Sequence, residues 1–354
     1  MKIAYLGDTH VGSRNDSLLF NDYFEKFYTN IFFPYLKKEK IKTIIILGDV
    51  LCRRKYVNFR ILNAVKKYLF GPLNDYNTHI LLGNHDTYFK NTNSINSPEL
   101  LLGEFDNIKI YSDPTTVDFD GTAIDIVPWI SPENFDSTID FISKSKSHLC
   151  AGHFNLKDFE MYRGLIMHEG MDRSLLNKYD MVFSGHYHHI SSDGTIFYLG
   201  APYEMTFNDY NDPRGFHIFD TNTRQLDFIQ NPYRMFHKIY YDDTEMSLKE
   251  IKKIDFSNYK DTYTRIIISK KNNSYWFDAF VDRLELFNPF KVTIVEDIRM
   301  DEEDGNDVDV VNMSEDTLTL LSKHIDSLPM TGMNKDELKS FMEVLYTEAM
   351  ALSE

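Results

Sequence analysis

The chain has 354 residues, room for one large catalytic domain and smaller modules, and its 42% hydrophobic and 26% charged residues suit a globular protein with a substantial core. Two cysteines, Cys52 and Cys150, exclude a disulfide framework or a four-cysteine zinc site, and the absence of a long apolar run or signal-peptide pattern leads us to expect no membrane association and a cytoplasmic location. A net charge of −16 argues against an unaided grip on nucleic acid, which needs a basic face to neutralise phosphates; some of that acidity is expected at cation sites and some lies in the run 296–309.

Along the first 200 residues a short β-branched run ends repeatedly in a small turn. Run 3–6 enters Gly7-Asp8-Thr9-His10, 43–47 enters Gly48-Asp49, and 80–82 enters Gly83-Asn84-His85-Asp86. Run 149–151 enters Gly152-His153, and 181–183 enters Ser184-Gly185-His186-Tyr187-His188. Helix-like stretches such as 17–38 and 58–70 lie between them. Strands alternating with helices predict a layered α/β domain with functional residues at strand ends, and glycine beside each such residue permits tight turns. Runs 196–199 and 216–219 carry this domain to about residue 230. Strands at 236–241, 264–269 and 290–295 with a helix at 275–287 then predict a small α+β module. Beyond the acidic run, Leu318, Leu321, Ile325 and Leu328 fall at helical spacing, as do Leu338, Phe341, Met342 and Leu345. Ser314 and Asn334 are candidate N-caps, and Pro329 and Gly332 separate the two helices of a hairpin. The expected division is 1–232, 233–300, an acidic linker 301–313, and a helical hairpin 314–354.

Together the five turns offer the carboxylates of Asp8 and Asp49, the amide of Asn84, and the imidazoles of His10, His153, His186 and His188. Oxygen and nitrogen donors without thiolate suit Mn2+, Mg2+, Fe2+ or Zn2+. A bridging carboxylate can hold two such ions about 3.5–4 Å apart, the spacing that clamps a phosphoryl group during in-line displacement. A lone Asp-x-His is an ordinary turn; the order of all five motifs, each at a strand end, carries the reading. His79 and His148 are expected as strand-end residues, His189 as a non-ligand, and Cys150 as a small core residue.

That order resembles the calcineurin-like metallophosphoesterases. The resemblance implies an αββα-type layered domain in which one cation is held by Asp8, His10, Asp49 and His188. It gives the other cation Asp49, Asn84, His153 and His186, with Asp49 as bridge. It also implies that His85 is a catalytic non-ligand facing the scissile phosphate, and Asp86 is expected to orient its ring. Tyr198-Leu199-Gly200-Ala201-Pro202 and Asn211-Asp212-Pro213-Arg214-Gly215-Phe216 resemble the region after the last metal motif in SbcD-type DNA repair nucleases. With Pro128-Trp129 and the stretch 114–121, the likeness is greatest to the T-even-like phage branch of recombination endonuclease subunits.

The resemblance further implies two divalent ions, Mn2+ first among them, and 3′→5′ exonuclease action on duplex DNA with endonuclease action on single strands. Residues 233–300 match a capping domain, and 314–354 match a helical segment that docks on an SbcC-type SMC-like coiled-coil ATPase. That partner would supply the phosphate contacts this acidic chain lacks, in a heterotetramer with a homodimer of this chain; the stretch 58–70 is a candidate for the dimer contact. Arg53, Arg54, Lys55 and Lys90 are candidates for the DNA track. One departure is Cys52, where the family often has His or Asp, which puts a second catalytic imidazole in doubt. The alternatives are a phosphoprotein or nucleotide phosphatase of the same superfamily and a non-catalytic scaffold that binds DNA ends.

Overall fold

The computed structural model describes residues 1–296 together with Ile325, Lys335, Leu338, Lys339 and Met342. The chain divides into two units, Met1–Ile298 and Arg299–Glu354. The last five described residues are all helical; the acidic run 301–309 and the expected caps Ser314 and Asn334 lie outside the described residues.

Two six-stranded sheets form the frame of the first unit. The first runs in the order β14 (Gln225–Gln230), β13 (Gly215–Asp220), β1 (Lys2–Leu6), β2 (Thr43–Ile46), β3 (Asn77–Leu81) and β4 (Ile108–Tyr111). The second runs β11 (Ser191–Ser192), β12 (Ile196–Tyr198), β10 (Met181–Gly185), β7 (Leu149–His153), β6 (Thr122–Val127) and β5 (Thr115–Phe119). Strands β1 to β4 are parallel, as are β12, β10, β7 and β6, while β13, β14, β11 and β5 pair antiparallel. A two-stranded hairpin, β8 (Glu160–Tyr162) and β9 (Leu165–Ile166), stands apart from both.

Strand periodicity explains the layering. Ile3, Tyr5, Ile45, Leu47, Leu149, Ala151 and Phe183 point into one buried cluster between the sheets. Their neighbours Ala4, Leu6, Ile44 and Ile46 point the other way, under a helical layer that includes Phe20, Phe24, Phe27 and Leu69. Cys150 and Val182 face a third cluster with Ile142 of the helix Phe135–Lys144. Strands buried on both faces need continuous apolar runs, which is what the sequence supplies. The expected αββα layering is therefore present, and Cys150 is a core residue as anticipated.

The helix expected at 17–38 is broken into Leu18–Phe27, a widened π-turn Tyr28–Phe32, and Phe33–Lys38. The stretch 58–70 behaves alike, with Phe59–Val65 followed by the π-turn Lys66–Phe70. Each wide turn stands just before a proline, Pro34 or Pro72, whose missing N–H removes a helical hydrogen bond.

The module after residue 232 is a parallel three-stranded sheet, β15 (Phe236–Asp242), β16 (Tyr263–Lys270) and β17 (Lys291–Glu296). Helices Leu248–Ile251 and Ser274–Glu285 cover one face, with a core of Tyr241, Ile266, Phe277, Phe280 and Leu284. Its lower end docks on the main domain, where Phe236 and Tyr263 meet Phe20 with ring centroids 6.0 and 5.8 Å away.

Candidate metal centre

The carboxyl ends of five parallel strands converge. Asp8 and His10 follow β1, Asp49 follows β2, Asn84 follows β3, His153 ends β7, and His186 and His188 follow β10. The turns are so crowded here that a Cβ on Gly83 would lie 2.1 Å from Asp49 Oδ1 of the neighbouring turn, and one on Gly48 only 2.8 Å from His153 Nδ1 of the other sheet. That crowding is why these two ligand turns begin with glycine. Three ligand residues also take the left-handed backbone, His10 (φ 41°), Asp49 (φ 50°) and His186 (φ 86°), a strain that persists only where the surroundings fix it.

All seven expected ligands come together. Asp8, His10 and His188 form one group of donor atoms, and Asp49, His153 and His186 a second. His10 Nε2 lies 3.0 Å from His188 Nε2 and 3.5 Å from Asp49 Oδ2. His153 Nε2 lies 3.5 Å from the same Asp49 oxygen. Asn84 Oδ1 completes the second group, 3.0 Å from His153 Nε2 and 2.9 Å from His186 Nδ1.

These spacings fit cations. Two donors each about 2.1 Å from one ion, at octahedral or tetrahedral angles, stand roughly 3.0–3.4 Å apart. His153 Nδ1 donates to the Leu47 carbonyl at 2.7 Å, which turns Nε2 toward the Asn84 oxygen. Asp8 Oδ1 accepts from the His186 amide at 2.9 Å, while Asp8 Oδ2 is buried without a partner. A cation beside it would satisfy Asp8 Oδ2.

The electrostatics agree. Burial lifts the Asp8 carboxyl to about 7, against the pull of His153. Burial also opposes charge on Asp49, but His153 and His10 hold its carboxyl well below the usual range. Burial works against a proton on His153 too, yet Asp49 raises it to about 9. Burial pushes His10 down to about 4 and, with His153 beside it, His186 to about 3; His188 is pushed well below its ordinary value by burial and by His10. Held unprotonated, the imidazoles of His10, His186 and His188 have their lone pairs free for metal.

His85 stands at the rim, half-buried, its ring edge-on to His10 at 4.9 Å. Its amide donates to Asp49 Oδ1 at 2.7 Å and its Nδ1 to the Cys52 carbonyl at 2.7 Å, which leaves Nε2 to work. The expectation that Asp86 orients this ring needs correction. Asp86 Oδ1 accepts from the Val50 and Leu51 amides at 2.8 and 3.3 Å, and Oδ2 from the Gly83 amide at 2.9 Å. It ties the second and third turns together, and the orienting group is a backbone carbonyl. Cys52 contributes that carbonyl; burial pushes its thiol to about 11, so the sulfur stays protonated near neutrality.

The basic candidates separate. Arg53 pairs with Asp16 Oδ2 and Asn15 Oδ1, both at 2.5 Å, and lies over the Tyr56 ring. Arg54 reaches Thr87 Oγ1 at 3.3 Å, while Lys55 and Lys90 are exposed. Sequence reasoning gave no role in the site to Trp129, whose ring leans on His186 and His153 at 5.4 and 5.9 Å. Nor did it anticipate Tyr203, whose hydroxyl donates to the Thr9 carbonyl between two ligands. His79 is a buried strand residue stacked on Tyr111, and His148 is exposed beside Asp180.

Comparison with known proteins places this geometry. The chain is 32% identical over 354 residues to exonuclease subunit 1 of Enterobacteria phage T4, covering 99% of each. Among solved structures, an archaeal phosphodiesterase is similar at 17% identity and TM-score 0.33, over 65% of this chain and 100% of that one. A protein from Aquifex aeolicus is similar at 14% identity and TM-score 0.26, over 50% and 93%. Residues 1–190, which hold all seven candidate ligands, match the calcineurin-like phosphoesterase family model, and the chain belongs to that family.

Proposed function

We propose that this chain is the metal-dependent nuclease subunit of a DNA end-processing complex. The observation that carries the proposal is one oxygen, Asp49 Oδ2, standing 3.5 Å from a ligand nitrogen of each donor group, as a bridge between two cations must. The full-length similarity to a phage exonuclease subunit supports DNA as the substrate. The cations, Mn2+ in this reading with Mg2+, Fe2+ or Zn2+ as alternatives, would neutralise phosphate charge and make a bound water more acidic.

The chain's own groups do the rest. Asp49 and Asp8 fix the relative positions of the two donor groups. In the reaction water adds to phosphorus and releases a proton to solvent, the P–O3′ bond breaks, and the leaving oxygen takes a proton that we assign to His85 Nε2, which solvent then restores. The Cys52 carbonyl accepts from the ring Nδ1 and the Asp49 carboxylate from the backbone amide of His85, which fixes the ring and its anchor. Trp129 and the Leu47 carbonyl keep the imidazoles of His186 and His153 turned inward.

We further propose 3′→5′ exonuclease action on duplex ends and endonuclease action on single strands, with a large SbcC-type coiled-coil ATPase as partner in a heterotetramer and Lys55 and Lys90 along the DNA track. The acidic balance supports a partner that supplies phosphate contacts. A cytoplasmic setting suits such a complex, and among the described residues no helix is long and apolar enough to cross a membrane. The test is Mn2+-dependent cleavage of a linear duplex and a single-stranded circle by the full chain, with and without the ATPase and ATP. DNA should be cut and a phosphopeptide left intact. Near-full cleavage by Asp49→Asn or His85→Gln, or preference for the phosphopeptide, would overturn the proposal.

A further inference from the structure

A second cluster of buried charge lies behind the last ligand turn. Arg214 is 1% exposed, and its Nη2 reaches Asp209 Oδ1 at 2.6 Å and Asp212 Oδ2 at 2.9 Å. Asp212 in turn accepts from His189 Nδ1 at 2.9 Å, and the other nitrogen of that ring lies 3.3 Å from Glu160 Oε2. Asp209 also accepts from the Met205 and Thr206 amides at 2.6 and 2.8 Å, which anchors the cluster to the 205–209 turn.

This cluster is a poor device for stability. Two carboxylates and a guanidinium are fully desolvated, and Arg214 Nε and Nη1 are buried with no partner. Buried ion pairs of similar volume to apolar groups add little net stability, and unpaired N–H groups make the balance worse. What the cluster does fix is direction. An imidazole held at both nitrogens cannot turn without losing a contact, and His189 is the neighbour of the ligand His188.

We infer that Asp212 and Arg214 are positioning residues that act through His189 to hold His188 in the Asp8–His10 donor group. The inference rests on the two-cation reading above and adds an asymmetry to it. His186, at the other end of the turn, has tethers of its own: its amide donates to Asp8 Oδ1, and its ring sits against Asn84 and Trp129. His188 has its carbonyl bonded to the Ala201 amide at 3.1 Å, and its nitrogen faces His10. Loosening His189 therefore frees His188 far more than His186.

The experiment is Mn2+ binding to the full chain by calorimetry, with paramagnetic resonance reporting the coupled pair of ions. The unmodified chain should bind two. Asp212→Asn should keep one site at its original affinity and weaken the other about 10–100-fold, the usual cost of losing a group behind a ligand. Combined with His10→Asn it should add little, whereas combined with His153→Asn it should impair both sites. The unfolding midpoint of the metal-free Asp212→Asn chain checks folding; if that variant does not fold, His189→Phe is measured instead, with the same expected split. Equal weakening of both sites, or no change in either, overturns the inference while the two-cation reading stands. An unmodified chain that binds fewer than two Mn2+ overturns that reading and the inference with it.

Discussion

Asp8 in the metal centre and Asp243 in the three-stranded module are both buried carboxylates, 0% and 3% exposed, and they are treated in opposite ways. Asp243 Oδ1 accepts from the Asn272 amide at 2.8 Å, and Oδ2 from the Asn273 amide at 2.9 Å and the Tyr241 hydroxyl at 3.4 Å. Both of its oxygens are satisfied, and they fix the loop that starts the helix Ser274–Glu285. Asp8 has one oxygen satisfied and one buried with nothing. Burial is thus no guide to role. The satisfied carboxylate belongs to the scaffold, and the unsatisfied one marks where a cation would fit.

The sharpest break in that comparison is expected from the same isosteric change at both positions. Asp8→Asn should lower Mn2+-dependent DNA cleavage by at least about 10²–10³-fold, the scale of losing one transition-state charge contact. Asp243→Asn should leave the cleavage rate within about twofold, as a surface-module change with no coupling to the centre. Equal losses at the two positions would show that Asp8 is scaffold too.

Removing metal comes next in size. With free Mn2+ at a hundred times the dissociation constant, each occupied site adds about 2.7 kcal/mol of stability to the folded chain. Denaturant midpoints with Mn2+ and with chelator should differ accordingly, and the difference should fall by about half in Asp8→Asn but persist in full in Asp243→Asn. Asp243→Ala, in turn, strands two amides and a hydroxyl, and should lower stability by about 1.5–3 kcal/mol while leaving Mn2+ stoichiometry unchanged. A loss of bound Mn2+ in that variant would tie the module to the centre and dissolve the contrast.

The contrast also explains what could be read from sequence. The candidate ligands were legible because the chemistry demands particular side chains at strand ends, and a strand end followed by Gly-Asp or Gly-Asn-His-Asp is a local pattern. Period-two burial made the β1, β2 and β7 core faces legible as well. The partition of strands between the two sheets was not, since pairing is decided by residues far apart in the chain. Nor were the groups that aim the ligands. His153 is turned by the Leu47 carbonyl and His85 by the Cys52 carbonyl, and every residue carries such a carbonyl whatever its side chain. Asp86 was expected at His85 because it is adjacent in sequence, yet its carboxylate accepts from the amides of Val50, Leu51 and Gly83.

The smallest effect per unit change is that of pH, and its sign separates a cation site from a buried scaffold. In the metal-free fold Asp8 is raised from 3.8 to about 7, and His153 from 6.5 to about 9. Both groups therefore bind protons more tightly in the folded than in the unfolded chain. The stability they contribute is complete below their unfolded values and is lost as pH rises, for Asp8 between about 4 and 7 and for His153 between about 6.5 and 9. A cation needs both groups deprotonated, so binding expels those protons and tightens as pH rises. Each expelled proton is worth up to about 1.4 kcal/mol per pH unit across its window. The stability gap between Mn2+-loaded and metal-free chain should thus widen from pH 6 to pH 8.5, and calorimetry in buffers of different ionisation enthalpy should register proton release. A gap that stays constant or narrows over that range would mean that neither Asp8 nor His153 holds its proton in the metal-free fold.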